Sequence, residues 1–273
     1  MTDVEAAFSS PYFEVTVTGQ GPDIILVPGL ASNAAVWNGT VATLEDSYTL
    51  HVVQVSGFGG APANGNADND NILDDLSIDL ARYTRSLENA PIIVGHSLGG
   101  LVTLKTALQD DAHLNAIVIV DVLPFFSVLM DETATADSIR PVSAIMKATL
   151  LAQPEAEFEA SQDAALASLV KDDADRALAL DWSMQSDRAV MAQAMSEVLV
   201  TDLRSEIANI KVPTTVIFAR DDNIPNMARN ETFYRDLYAP LADGTVIGVD
   251  DALHFIMLDQ PDAFHTALRA AIQ

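Results

Sequence analysis

Short apolar runs recur along the chain at Ile24–Val27, Val52–Val55, Ile92–Val94, Ile117–Val120, Val216–Phe218 and Val246–Val249. They are rich in Val and Ile and mostly lack polar alternation, which predicts strands covered on both faces of a parallel sheet. Phe13, Val15 and Val17 do alternate with polar neighbours, the pattern of an antiparallel edge strand. Between the runs the spacing turns helical. Ile72, Leu76, Leu80, Tyr83 and Leu87 follow steps of three and four and predict an amphipathic helix. Leu98 to Gln109 reads as a second helix, and Phe264, Leu268 and Ile272 mark the buried stripe of a last one. This alternation predicts an α/β fold built on a doubly wound, mostly parallel sheet.

One interval breaks the rhythm. Roughly 90 residues between Asp121 and Thr214 hold no convincing strand, against ordinary connections of about 2–6 residues. Within it Ser138–Ala152, Glu155–Val170, Ala174–Met184 and Arg188–Val200 carry helical patterns dominated by Ala, Leu and Met. The expectation is a core domain formed by residues 1–123 and 206–273, with 124–205 inserted as a helical cap. Ala61–Asn71, biased towards Gly, Asn and Asp, reads as a surface loop.

Composition narrows the function classes. With 273 residues, 49% of them hydrophobic, the chain can bury a sizeable core. Its net charge of −25, from 39 acidic and 14 basic side chains, repels nucleic acid and anionic lipid and reads as a solvated acidic surface. The absence of cysteine excludes disulfides, thiolate nucleophiles and cysteine–metal sites. Met1 to Ser10 has neither the basic region nor the apolar run of a signal peptide. A cytoplasmic location is the default expectation, with export open if the N-terminus was trimmed. No stretch approaches the roughly 18 apolar residues of a membrane span. Oligomeric state is not legible.

The strongest chemical signal is Gly95-His96-Ser97-Leu98-Gly99-Gly100. An apolar strand runs into it and a helix runs out. A serine on so tight a turn must adopt a strained backbone, and side chains two residues either side would collide; glycine at 95 and 99 removes the collision. Such a turn lifts the Ser97 hydroxyl above the strand ends, where α/β sheets bind their ligands.

On these residues the chain resembles the α/β-hydrolase superfamily, particularly its capped, esterase-like members. Leu26-Val27-Pro28-Gly29-Leu30, Ala219-Arg220-Asp221-Asp222 and Asp251-Ala252-Leu253-His254, running on to Pro261, extend the resemblance. It implies a serine nucleophile, an acid and a histidine in that chain order. Two stretches depart from the family. Pro28-Gly29 stands where His-Gly is common, and Gln54-Val55-Ser56-Gly57-Phe58-Gly59 where Asp-x-Pro-Gly-x-Gly is frequent.

A serine hydroxyl needs a neighbouring base. Of the five histidines, His96 adjoins the nucleophile and points away. His51 opens a strand, His113 follows a helix, and His265 lies within the last one. His254, in a loop beyond a late strand, is the expected base. Asp222 matches the family's usual acid position and is the expected partner; Asp121, ending the strand before the insertion, and Asp221 are the alternatives. Asp221, Asp250 and Asp251 read as solvated or turn-capping carboxylates. The backbone N–H of Leu98, at a helix start, is the first oxyanion donor. The resemblance implies the N–H of Leu30 as the second. Trp37, Phe58, Met184 and Met191 are candidate pocket lining, with Met130, Met146 and Met195 as further apolar cap residues.

The expected reaction is hydrolysis of small to medium apolar carboxylic esters through an acyl-enzyme on Ser97, with no metal or organic cofactor; the expected partner is the small-molecule ester, not nucleic acid. A lactonase, thioesterase, C–C bond hydrolase or hydroxynitrile lyase on the same triad is the enzymatic alternative. A non-turnover receptor of the same fold is the alternative of a different class. Epoxide hydrolase and haloalkane dehalogenase activities are disfavoured, since that resemblance would require Asp at position 97.

Overall fold

A computed structural model describes residues 8–109, 113–221 and 231–273. Seven strands form one sheet: β1 (Phe13–Gly19), β2 (Asp23–Val27), β3 (Thr49–Val55), β4 (Ile92–His96), β5 (Ala116–Val120), β6 (Thr214–Arg220) and β7 (Gly244–Asp250). Their order is β1-β3-β2-β4-β5-β6-β7. Only β1 runs antiparallel, paired to β3 from Phe13 opposite Val55 to Gly19 opposite Thr49. It is an edge strand, and Val17 on it is left 53% exposed.

Successive side chains of a strand leave opposite faces, and here both faces are buried. Ile25 and Val27 of β2, with Ile93, Ile117, Ile119, Val216 and Phe218, pack towards α2 (Ile72–Ser86), α3 (Leu98–Ala107) and α8 (Glu231–Tyr238). Ile24 and Leu26, with Leu50, Val94, Val118, Val120 and Ile217, pack towards α1 (Asn38–Leu44), α9 (Ile256–Asp259) and α10 (Pro261–Ala271), the last of which supplies Phe264 and Leu268. This two-sided burial explains why the runs lack alternation. The patterning passed over α1 and α8, both short.

Between β5 and β6 lie 3-10 turns at Phe126–Leu129 and Ile207–Asn209 and four helices, α4 (Ala136–Ala152), α5 (Glu155–Leu166), α6 (Asp173–Gln185) and α7 (Arg188–Val200). Thr135 starts α4 through a capping box with Ser138. Asp172 and Asp187 cap α6 and α7 by accepting two backbone N–H groups each. The helix expected over Glu155–Val170 ends at Leu166 instead. Tertiary bonds claim the backbone beyond it: Leu169 O accepts from Phe255 N at 3.1 Å, and Lys171 N donates to Asp259 Oδ1 at 2.9 Å.

This helical segment packs into the core of the sheet. Val190, Ala194, Val198 and Leu199 of α7 share a cluster with residues of the strands, α2 and α3. Glu197 caps the start of α2, accepting from Ile72 N at 2.9 Å and Leu73 N at 2.8 Å. Among the described residues no helix is long and apolar enough to cross a membrane.

Candidate active site

β4 delivers the serine. Ser97 sits between β4 and α3 with φ 54° and ψ −122°, a backbone that L-residues rarely adopt and that costs on the order of 1–3 kcal/mol. Its N–H donates to Val120 O at 2.9 Å, tying the turn to β5. A Cβ at Gly95 would collide with the Gly99 carbonyl and the Thr103 hydroxyl, and one at Gly99 would lie 2.5 Å from the carbonyl oxygens of both Val27 and Pro28. Glycine at these two positions is what permits the strain to be held.

Beyond β7, Asp251 turns the chain with φ 57° and His254 follows. The loop is tied on every side. Leu253 N donates to Asp259 Oδ2 at 2.7 Å, Phe255 N to Leu169 O at 3.1 Å, and His96 Nε2 to the His254 carbonyl at 3.0 Å. His254 Nδ1 lies 2.7 Å from Asp121 Oδ2. Asp121 stands just past the C-terminal end of β5, the sheet neighbour of β4. Its other oxygen accepts from Ala219 N at 2.8 Å and from the Tyr234 hydroxyl at 3.0 Å. Three contacts on one carboxylate, 9% exposed, fix its direction.

Among the described residues the carboxylate on His254 is Asp121, the alternative from the sequence; the expected acid, Asp222, lies outside the described residues. Asp221 is not solvated. Its side chain is 6% exposed and pairs with Lys171 Nζ at 2.8 Å. Asp250 and Asp251 are exposed and pair with Arg220 and Lys171 respectively. The other histidines have other duties. His51 bonds Tyr83 OH at 2.6 Å and Asp23 at 2.9 Å, while His265 approaches Thr40 and Thr43. His96 is fully buried, and that desolvation, aided by the nearby His254, lowers its pKa to about 3, so the ring is neutral and its proton resides on Nε2.

Ser97, His254 and Asp121 line a cavity of about 700 Å³ with Leu30 and Leu98. Leu98 opens α3, where the first four N–H groups have no acceptor within the helix. Gly29 brings the β2 loop so close that a Cβ there would lie 3.1 Å from Ser97 Cβ. Met191 lines the cavity, as do Met146 and Met195. Met184 does not; it packs behind Met191 against Ala31 and Phe158. Trp37 and Phe58 also lie elsewhere. Trp37 is fully buried against Phe264 on the α10 side of the sheet, and Phe58 is in the core on the α2 side. The sequence reading passed over Tyr234 and the polar wall formed by Gln153, Ser161, Gln162 and Ser183. No local pattern marks them, because they reach the cavity only through helix packing.

Residues 24–267 match the family model described as "Alpha/beta hydrolase family". The chain is 36% identical over 108 residues to the pimeloyl-[acyl-carrier protein] methyl ester esterase of Aeromonas hydrophila, covering 40% of this chain and 41% of that one. With the enzyme of the same name from Vibrio cholerae it shares 29% identity over 219 residues, 76% of this chain and 79% of that one. Its fold is similar to the enol-lactonase of Burkholderia xenovorans LB400, with a TM-score of 0.75 at 18% identity over 94% of this chain and 95% of the other.

Proposed function

The chain belongs to the alpha/beta hydrolase family, and from that premise we propose that it hydrolyses carboxylic esters through an acyl-enzyme on Ser97. The observation that carries the reading is the 2.7 Å contact between His254 Nδ1 and Asp121 Oδ2, in a cavity whose wall also holds Ser97. The esterase activity named for its relatives agrees with it.

In this reading Asp121 accepts a hydrogen bond from the Nδ1–H of His254, which keeps its proton there and leaves Nε2 free to take the proton of Ser97. The serine oxygen attacks the ester carbonyl, and the oxyanion that forms is held by the N–H groups of Leu98 and Leu30. His254 returns the proton to the departing alcohol. A water then repeats the sequence on the acyl-enzyme and releases the acid, restoring the serine. Asp121 stabilises the imidazolium at both stages.

The wall around this site is mostly apolar, with Leu123, Phe126, Leu129, Met146, Met195 and Val198 along one part. Its volume suits an acyl chain and alcohol of small to medium size. Residues 124–205 act as the cap that supplies most of this wall and so ranks substrates.

Turnover of p-nitrophenyl butyrate tests the reading, together with labelling by an organophosphonate. Wild type should turn over steadily and become labelled at Ser97. Ser97→Ala should fold, escape labelling and lose activity by several orders of magnitude. Labelling at another residue, or full turnover in folded Ser97→Ala, overturns the reading; a single turnover ending in a stable adduct would indicate a receptor.

A further inference from the structure

The cap contains six basic side chains, and each is already committed to a carboxylate. Arg140 pairs with Asp137, Lys147 with Asp70, Lys171 with Asp221 and Asp251, Arg176 with Asp163 and Asp173, Arg188 with Glu155, and Arg204 with Asp202. Among the described residues no lysine or arginine lines the cavity. A carboxylate or phosphate entering it would shed water without gaining a counter-ion, beneath a surface of net charge −25.

The wall is nevertheless not uniformly apolar. α5 and α6 bring Gln162 and Ser183 to it, with Ser161 and Gln153 beside them. Ser183 is 5% exposed, and its hydroxyl donates to Gln162 Oε1 at 3.1 Å. That bond orients the glutamine amide and leaves its two N–H groups as donors. Ser183 also lies 3.9 Å from the sulfur of Met191, which lines the same cavity. An oriented, uncharged donor facing an apolar pocket satisfies a neutral oxygen, whereas one hydrogen bond without a counter-ion does not offset the desolvation of a full negative charge.

We infer that Gln162, oriented by Ser183, forms a specificity subsite for an uncharged oxygen function, a ketone, ether or hydroxyl, carried by the ester away from the scissile bond. Esters bearing a distal carboxylate are rejected by the same wall. This rests on the ester-hydrolase reading above and deepens it.

The test uses two matched sets of esters, one varied in the acyl part and one in the alcohol. The acyl set is methyl hexanoate, methyl 5-oxohexanoate and monomethyl adipate; the alcohol set carries the same ends on an acetate. In at least one set wild type should favour the keto ester over the alkyl ester in kcat/KM by about tenfold, the scale of one hydrogen bond, with the carboxylate ester slowest. Gln162→Leu and Ser183→Ala should each bring the keto-to-alkyl ratio towards one. Gln162→Lys supplies the missing cation and should raise the carboxylate ester relative to the other two, a gain that damage to the fold would not produce. Equal rates for keto and alkyl esters in both sets, or a carboxylate ester preferred by wild type, overturns the subsite. If wild type hydrolyses no ester of either set, it is the ester-hydrolase reading that falls, and the subsite with it.

Discussion

His96 Nε2 donates to the backbone carbonyl of His254 at 3.0 Å, with the two rings 4.6 Å apart. The residue preceding Ser97 thereby holds the main chain of the histidine that faces Asp121. His96 touches no reacting atom in the proposed mechanism, so it is a positioning residue. Replacing it by Phe removes the donor while keeping a flat ring. His96→Phe should lower kcat about 10- to 100-fold with little change in KM, since the loop would lose its tether and the apolar wall would remain. His96→Gln, which can still donate, should recover part of the loss. A KM effect alone would contradict the positioning role.

The same residue makes stability depend on pH. Its folded pKa of about 3 lies below the ordinary 6.5, because burial disfavours the charged ring. Between those values the unfolded chain binds more protons at this site than the folded one. Stability from this residue is therefore intact above pH 6.5 and declines towards pH 3, by at most about 1.4 kcal/mol per pH unit. Melting curves of His96→Gln and wild type, recorded across that range, should converge as the pH falls. Parallel curves would show that His96 does not titrate in this way.

Asp121→Asn keeps the shape of the acid and removes its charge, and it favours the wrong tautomer of His254. Turnover of an activated ester should fall on the order of 10⁴-fold, by analogy with the serine proteases. Asp222→Asn, assayed beside it, should be the milder change. The reverse order would transfer the acid to Asp222.

Lys171 links the segment between α5 and α6 to the loop that bears His254. Its ammonium pairs with the buried Asp221 at 2.8 Å and with Asp251, and its N–H bonds Asp259 at 2.9 Å. Lys171→Met takes a counter-ion from a carboxylate only 6% exposed. The expected cost is about 2 kcal/mol, below the usual 3–5 for a buried pair because the lysine is partly solvated. Denaturant unfolding measures it, and the double variant Lys171→Met with Asp221→Asn should regain part of the loss. No change in the single variant would mean that solvent screens the pair.

Much of this protein was decided locally and could be read from the chain. Val- and Ile-rich runs without alternation demand a sheet covered on both faces, and Phe13, Val15 and Val17 mark its antiparallel edge. The steric demands of the turn at Ser97 are met by Gly95 and Gly99 within a few residues. Those are short-range rules, so the strand–turn–helix and the helical character of 124–205 were visible without coordinates. What meets across the sheet was not. Asp121, Asp221 and Asp222 all follow apolar runs in the sequence and look alike as residues. The order β4-β5-β6 brings the end of β5 beside the His254 loop, and this gives Asp121 the 2.7 Å contact while Asp221 turns to Lys171. Trp37 and Phe58 follow strand ends closely enough in the chain to be candidates for the pocket, but packing between the sheet and its helices seats both in the core. Tyr234, Gln162 and Ser183 carry no local signature. Their chemistry exists only because α5, α6 and α8 pack where they do, and that depends on contacts between residues far apart in the chain.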